Sequence, residues 1–248
     1  MPLHLPPLRL GSCGPEVQNW QRFLSEATGA DLSPDGAFGP RTDHATRTWQ
    51  LARRLRGDGI VGSASRGVAA PEGFIQYLQA RYFTPTAGRA IDVIVIHDLE
   101  YPEKPEGAEW AAGYFAAGHR KVSAHYTIDA DSIVQSVPDE HVAYHAPGAN
   151  HNGIGVEHAG YAAQSREEWL DAYSRAELAR SARLVARLCR TYGIPITWLS
   201  REALRGSERG ITGHAEVSLA FGKSTHYDPG PGFPKGEYLK LVTKAGAA

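Results

Sequence analysis

The sequence predicts an α/β domain, with helices packed on a mixed central sheet, preceded by a small all-α unit. Three observations predict it. Apolar residues recur at helical spacing in the first part of the chain; a continuous apolar run, IDVIVIHD, occupies residues 91–98; and strand-like and helix-like segments alternate beyond it.

In VQNWQRFLSEA, Val17, Trp20, Phe23, Leu24 and Ala27 fall on one helical face, with Ser12 or Gly14 as the start and Pro15 suited to the first turn. A second helix is expected from about Pro40 to Leu55, placing Ala45, Thr48, Trp49 and Ala52 together. Between them SPDGAFG reads as a turn, because Asp35-Gly36 and Gly39 supply backbone angles that other residues avoid. Trp20, Phe38 and Trp49 are expected in the core. The segment SASRGVAAPEG, residues 63–73, is small, polar and broken by Pro and Gly, which fits a linker or domain edge. IDVIVIHD has the composition of a strand buried on both faces. The alternation continues through EWAAGYFAAG (109–118), SAHYTID (123–129), SIVQSVP (132–138) and GIGVEHAG (153–160). A long amphipathic helix follows from about Ser174 to Tyr192, stopped by Gly193-Ile194-Pro195. No internal repeat is evident.

At 248 residues, 42% hydrophobic and 21% charged, the chain is long enough for about two domains. A formal charge of −1 argues against nucleic acid or an anionic membrane as partner, since both need a concentrated basic surface. Two cysteines, Cys13 and Cys189, make no disulfide framework, and Cys189 sits in an apolar helical stretch as a core residue. The opening MPLHLPPLRLGS has prolines inside its apolar run and no basic leader, so no Sec signal peptide is expected. No apolar run approaches the ~20 residues of a membrane span, and membrane insertion is not expected.

Three potential metal ligands stand at strand ends or rigid turns: His97 after VIVI, His214 in ITGHAEVS and Asp228 in HYDPGP. Catalytic zinc takes three protein ligands and keeps a fourth position open, which two imidazoles and a carboxylate satisfy if they converge. Pro229 restricts the backbone before it, and the Pro-Gly-Pro turn prevents any regular continuation, so the Asp228 carboxylate is aimed. With 11 histidines in the chain, no single one is evidence of a metal. The ensemble carries the case.

Residues 9–67 resemble the small helical peptidoglycan-binding domain. The matching elements are Gly14, Val17–Trp20–Gln21–Leu24, Asp35-Gly36-Ala37-Phe38-Gly39, Thr42, Ala45, Trp49-Gln50 and Asp58-Gly59-Ile60-Val61-Gly62. Residues 90–235 resemble the zinc-dependent N-acetylmuramoyl-L-alanine amidases of type 2, whose fold is shared with peptidoglycan recognition proteins. That likeness rests on VIVIH ending at His97, SAHYTID at 123–129, AYHA at 143–146, NGIGVE at 152–157, TGH at 212–214 and DPGP at 228–231, in family order.

The resemblance implies a three-helix binding domain over residues 1–67, a connecting segment 68–89 and a catalytic domain 90–248. It further implies one Zn2+ per chain, held by His97, His214 and Asp228, with Glu157 as the catalytic carboxylate. Glu157 has a separate rationale, because a partly desolvated carboxylate at the end of GIGVE can take a proton from metal-bound water. Many bacterial relatives carry a lysine two residues before the aspartate. Here that place holds His226, with Lys223 three residues earlier, so His226 is expected in the site and Lys223 as its substitute. His145 and His125 lie in matching segments and are candidate substrate contacts.

The implied activity is hydrolysis of the amide between N-acetylmuramic acid and L-alanine of the stem peptide in bacterial peptidoglycan, by a monomer. The alternatives are a non-catalytic recognition protein of the same fold and a zinc endopeptidase acting within the stem peptide. Without a leader, two settings fit: a phage endolysin released from the host cytoplasm through a pore, or an exported bacterial autolysin.

Overall fold

The computed structural model describes residues 5–247; residues 1–4, part of the segment read for a leader, and Ala248 lie outside the described residues. The N-terminal unit is helical. Helices α1 (Pro15–Thr28) and α2 (Pro40–Ala52) each start on a glycine cap with proline in the first turn, where its missing N–H sacrifices no hydrogen bond. α2 ends three residues before the expected Leu55, because Arg54 turns to a positive φ of 58°.

Trp20 is fully buried, edge-on to Trp49 at 5.3 Å and to Phe74 at 5.1 Å, and its indole N–H donates to Thr46 Oγ1. Burial of each such ring contributes roughly 2–3 kcal/mol, which makes these aromatics the framework of the unit. The unit also contains a duplication that the sequence reading did not detect. Gln21, after Trp20, accepts from Gly36 N and donates to Ala37 O; Gln50, after Trp49, accepts from Gly59 N and donates to Ile60 O. Two Trp-Gln pairs thus hold two Asp-Gly turns by the same bonds. Identity is confined to the few residues making those bonds, too sparse to show as a period.

Residues 63–73, expected as a linker or domain edge, begin as a helix at the edge of the N-terminal core. Ser63–Ala69 form α3, and Ala69 and Phe74 close the N-terminal core. A seven-residue helix has too few apolar positions to show helical spacing, so its small residues imitated a loop. The segment after it is equally committed: Ile75 enters the second core, and Gln76–Tyr77 form the edge strand β1 of the main sheet. Across the boundary Asn19 Nδ2 donates to Gln135 Oε1 at 3.1 Å, and Arg180 Nη1 donates to Ala70 O at 2.9 Å.

The sheet continues with β2 (Val93–Asp98), β3 (Tyr126–Ile128), β4 (Ile133–Gln135), β5 (Gly153–His158) and β6 (Gly210–Gly213). Its order is β1-β4-β3-β5-β2-β6, parallel throughout except for the β3–β4 pair. Side chains alternate between faces along each strand. Ile94, Ile96, Ile154 and Val156 pack toward α5 (Ala172–Tyr192) and α8 (Lys235–Gly246). Val93 and Val95 face the other way, toward Leu204 of α6 (Arg201–Arg205) and Val217 of α7 (His214–Phe221). On that same face α4 (Gly107–Ala117) covers β3, where Thr127 Oγ1 donates to Ala108 O at 2.8 Å. Cys189 is buried in α5, and both cysteines are free.

Candidate functional site

Three neighbouring parallel strands, β5, β2 and β6, finish at one edge of the sheet, the end at which open α/β sheets gather ligands. His97 and Glu157 are register partners near the ends of β2 and β5, on the face of Val93 and Val95. His214 follows β6 immediately and opens α7. Asp228 arrives from the loop after α7, tied down where its carbonyl accepts from Ala215 N at 2.9 Å. The turn behind it requires glycine: Gly230 has φ +83°, and a Cβ there would lie 1.8 Å from Ala162 O.

The three expected ligands converge. His97 Nδ1 lies 2.9 Å from Asp228 Oδ2, His214 Nδ1 lies 3.2 Å from Asp228 Oδ1, and one donor atom from each falls within 4.8 Å of the others. All three side chains are buried, and Asp228 Oδ1 has no hydrogen-bond partner of acceptable geometry among the described residues. Burial works to raise the Asp228 carboxyl, but the imidazoles of His214 and His97 outweigh it and hold the group well below the usual carboxylate range. Burial pushes His97 down, against the pull of Asp228, so its ring favours the neutral form. Neutral imidazole nitrogens and an ionised carboxylate oxygen packed this closely are the donor set of a small divalent cation.

Glu157 is partly buried beside this cluster. Burial first, then repulsion from Asp228 and Asp98, lifts its carboxyl well above the ordinary range. Asp98, one residue past His97, is pushed up to about 8 by burial and by Asp228.

The remaining expected residues separate. His226 is at the cluster: its exposed ring stacks on His214 at 4.5 Å between centroids, with Nδ1 3.5 Å from Asp228 Oδ1. Lys223 is exposed and makes no hydrogen bond or ion pair among the described residues. His145 lies behind His97, its Nδ1 3.0 Å from His97 Nε2, and is almost fully buried. The space for its ring comes from Gly155, where a Cβ would stand 2.5 Å from His145 Cγ. His125 has no exposed surface: its Nδ1 accepts from Gly155 N, and its Nε2 faces Arg89 Nη2 at 2.9 Å and His141 O, so it stands in the interior.

Two supporting residues escaped the sequence reading. Ser224 Oγ lies 3.1 Å from His214 Nε2, and His158, fully buried, has Nδ1 3.0 Å from the carbonyl of His97. Neither stands in a recognisable pattern, and only the fold brings them to the ligands. Ser224, like His145, meets a ring nitrogen and orients a ligating ring, whereas His158 holds the backbone of His97. His145→Ala is therefore expected to weaken metal binding about 10- to 100-fold, read by competition with a chromogenic chelator, with the fold retained.

Residues 87–231, more than half of the chain, match the family model described as N-acetylmuramoyl-L-alanine amidase, and residues 13–66 match that of a peptidoglycan binding domain. The chain belongs to the N-acetylmuramoyl-L-alanine amidase family and is a peptidoglycan amidase with an N-terminal binding module. It is 29% identical over 174 residues to N-acetylmuramoyl-L-alanine amidase A of Achromobacter lyticus, an alignment covering 65% of this chain and 88% of the relative. Its fold is similar to that of the Staphylococcus aureus hydrolase AmiA, solved in complex with its ligand. The TM-score is 0.54 at 19% identity, over 69% of this chain and 82% of that one.

Proposed function

We propose that the chain is a zinc hydrolase cleaving the amide between N-acetylmuramic acid and L-alanine of the peptidoglycan stem peptide. The observation that carries this reading is the buried His97–His214–Asp228 cluster beside Glu157 at the open ends of β2, β5 and β6. His97 and His214, through Nδ1, and Asp228 fit the ion, and the unsatisfied Asp228 Oδ1 is an atom it would satisfy. A zinc ion held by these residues would supply Lewis-acid chemistry, polarising a carbonyl and lowering the pKa of a water toward ~7. Were Nδ1 of each ring to hold the ion, Nε2 would carry the proton and donate to His145 on one side and Ser224 on the other.

Glu157 takes the proton of the attacking water and delivers it to the leaving amine. Its raised pKa suits both halves of that task, since an ordinary carboxylate is too weak a base and holds a proton too loosely. His226, at the rim, donates to the developing oxyanion, with Lys223 as the alternative donor from the same loop. Residues 1–67 act as the wall-binding module and 90–248 as the catalytic domain of a monomer, joined by 68–89, which also close the helical core at Ala69 and Phe74 and add β1 to the sheet. Among the described residues no helix is long and apolar enough to cross a membrane. The enzyme reaches its wall either as a phage endolysin released through a pore or as an exported autolysin.

The test is mass spectrometry of cell wall digested by native and by chelator-treated protein, with metal content measured alongside. Free stem peptides bearing N-terminal alanine, lost on chelation and restored by zinc, are expected. Cleavage inside the stem would make the protein an endopeptidase, and stoichiometric zinc without cleavage would make it a recognition protein.

The pH dependence of metal retention follows from His97. Protons compete with a metal for an imidazole only below its pKa, and burial lowers this one from 6.5, while Asp228 stays ionised. His97 is therefore expected to stay available to the metal as pH falls to 6.5, its own protonation releasing the metal only in more acidic buffer. Equilibrium dialysis across that range checks it, and loss beginning above pH 6.5 would contradict it.

A further inference from the structure

The metal-bearing face of the sheet has two walls of different chemistry. One is α7 with the loop that follows, carrying Lys223, Ser224 and His226. The other is α4, because Thr127, in register with Glu157, donates to its Ala108 carbonyl. Along the α4 wall three aromatic rings stand nearly parallel. Tyr101 stacks on Trp110 at 4.1 Å and 17°, and Trp110 follows Tyr114 at 5.8 Å and 19°. Although Tyr101 covers one side of it, Trp110 keeps 45% of its surface exposed and belongs to no hydrophobic core among the described residues.

The row is joined directly to the centre. Tyr101 follows His97 by four residues, at most about 14 Å of chain, and forms a bridge with Gly160, three residues beyond Glu157. The segments that follow the ligand-bearing and base-bearing strands therefore meet at this platform, after the chain turns at Glu100, where φ is 47°. The mechanism above uses none of its rings.

We propose that the Tyr101–Trp110–Tyr114 row binds the glycan strand of peptidoglycan through the apolar C–H faces of its hexosamine rings. The proposal rests on the amidase reading and extends it to the orientation of the substrate. The scissile amide joins a sugar's lactyl group to a peptide, so glycan leaves the centre on one side and peptide on the other. Uncharged pyranose faces match a flat aromatic surface, whose burial is favourable in proportion to the apolar area covered. The carboxylates of a stem peptide match the opposite wall, where Lys223 and His226 lie. An exposed aromatic row beside a polar cleft is the kind of patch that marks a ligand groove.

The experiment compares native protein, Trp110→Ala and Trp110→Phe on two substrates: a soluble glycan chain bearing stem peptides, and a single N-acetylmuramoyl peptide with no further sugars. For Trp110→Ala, kcat/KM on the glycan chain is expected to fall roughly tenfold relative to the single-sugar substrate, about 1.4 kcal/mol, mainly through KM. Trp110→Phe, which keeps a ring, should recover most of it. Equal losses on both substrates, or no loss on either, would overturn the proposal. Because the chain has five tryptophans, binding is read separately by NMR of the Trp110 indole, assigned by its disappearance in Trp110→Phe. A chitotetraose titration is expected to shift that signal. A shift produced by the free stem peptide and not by the sugar would reverse the assignment of the walls and overturn it. If native protein releases no peptide with N-terminal alanine, the amidase reading fails instead, and the sugar titration still decides the platform.

Discussion

Glu157→Gln is expected to keep its fold and its metal and to lose turnover by about 10²- to 10⁴-fold, the usual contribution of a positioned proton-transfer group. The substitution preserves the volume of the side chain on β5 and removes its ability to hold a proton. The Glu157 side chain makes no hydrogen bond or ion pair among the described residues, so no side-chain bond is lost with it. Release of alanine-terminated peptides gives the rate, and metal analysis with a thermal melt checks the rest. A variant as active as the native chain would remove Glu157 from catalysis and shift the task to Asp98, the other carboxyl whose pKa is raised near the cluster. Since burial raises the Glu157 carboxyl, the base form is lost as pH falls at a pH above the ordinary carboxylate range. The acid limb of the native rate profile should accordingly sit above 4.5 and disappear from the residual activity of the variant.

Much of this site was legible in the sequence because parallel strands buried on both faces write themselves as unbroken apolar runs. VIVIH and GIGVE could be placed, and with them the two residues at their ends. The aim of Asp228 was legible from proline and glycine chemistry alone. What the sequence concealed falls into two kinds. Short or marginal elements, such as the two residues of β1, the five of α6 and the seven of α3, carry too few positions to show a period. The other kind is the choice among histidines. His125 and His145 both stand in matching segments, yet Gly155 separates their fates: its N–H binds His125 in the interior, and its missing side chain admits the ring of His145 behind His97. That distinction depends on which neighbour lacks a Cβ, which no pattern within either segment records. The docking of the helical unit was hidden for a similar reason, since Asn19 and Gln135 lie 116 residues apart.

Asp228→Ala should abolish activity by removing the metal, not by unfolding the chain. The substitution leaves His97 Nδ1 and His214 Nδ1 facing a gap where the carboxylate had been, two ligands where catalytic zinc requires three. It removes the one anionic group of the three, and with it the charge that offsets the cation in a buried setting. Zinc content after dialysis is expected to fall from near one per chain to near zero. Thermal stability distinguishes this outcome from general damage. A metal that binds only the folded state stabilises it by mass action, so chelation should lower the Tm of the native protein while leaving that of Asp228→Ala unchanged. The variant's Tm should then lie near or below that of the chelated native protein. It falls below to the extent that the ionised carboxylate itself supports the metal-free fold: its depressed pKa means a contribution present above pH 3.8 and lost as pH falls through the lower folded value. Unchanged zinc content in Asp228→Ala would strike Asp228 from the ligand set, and a chelation-sensitive Tm in the variant would show that the ion sits elsewhere.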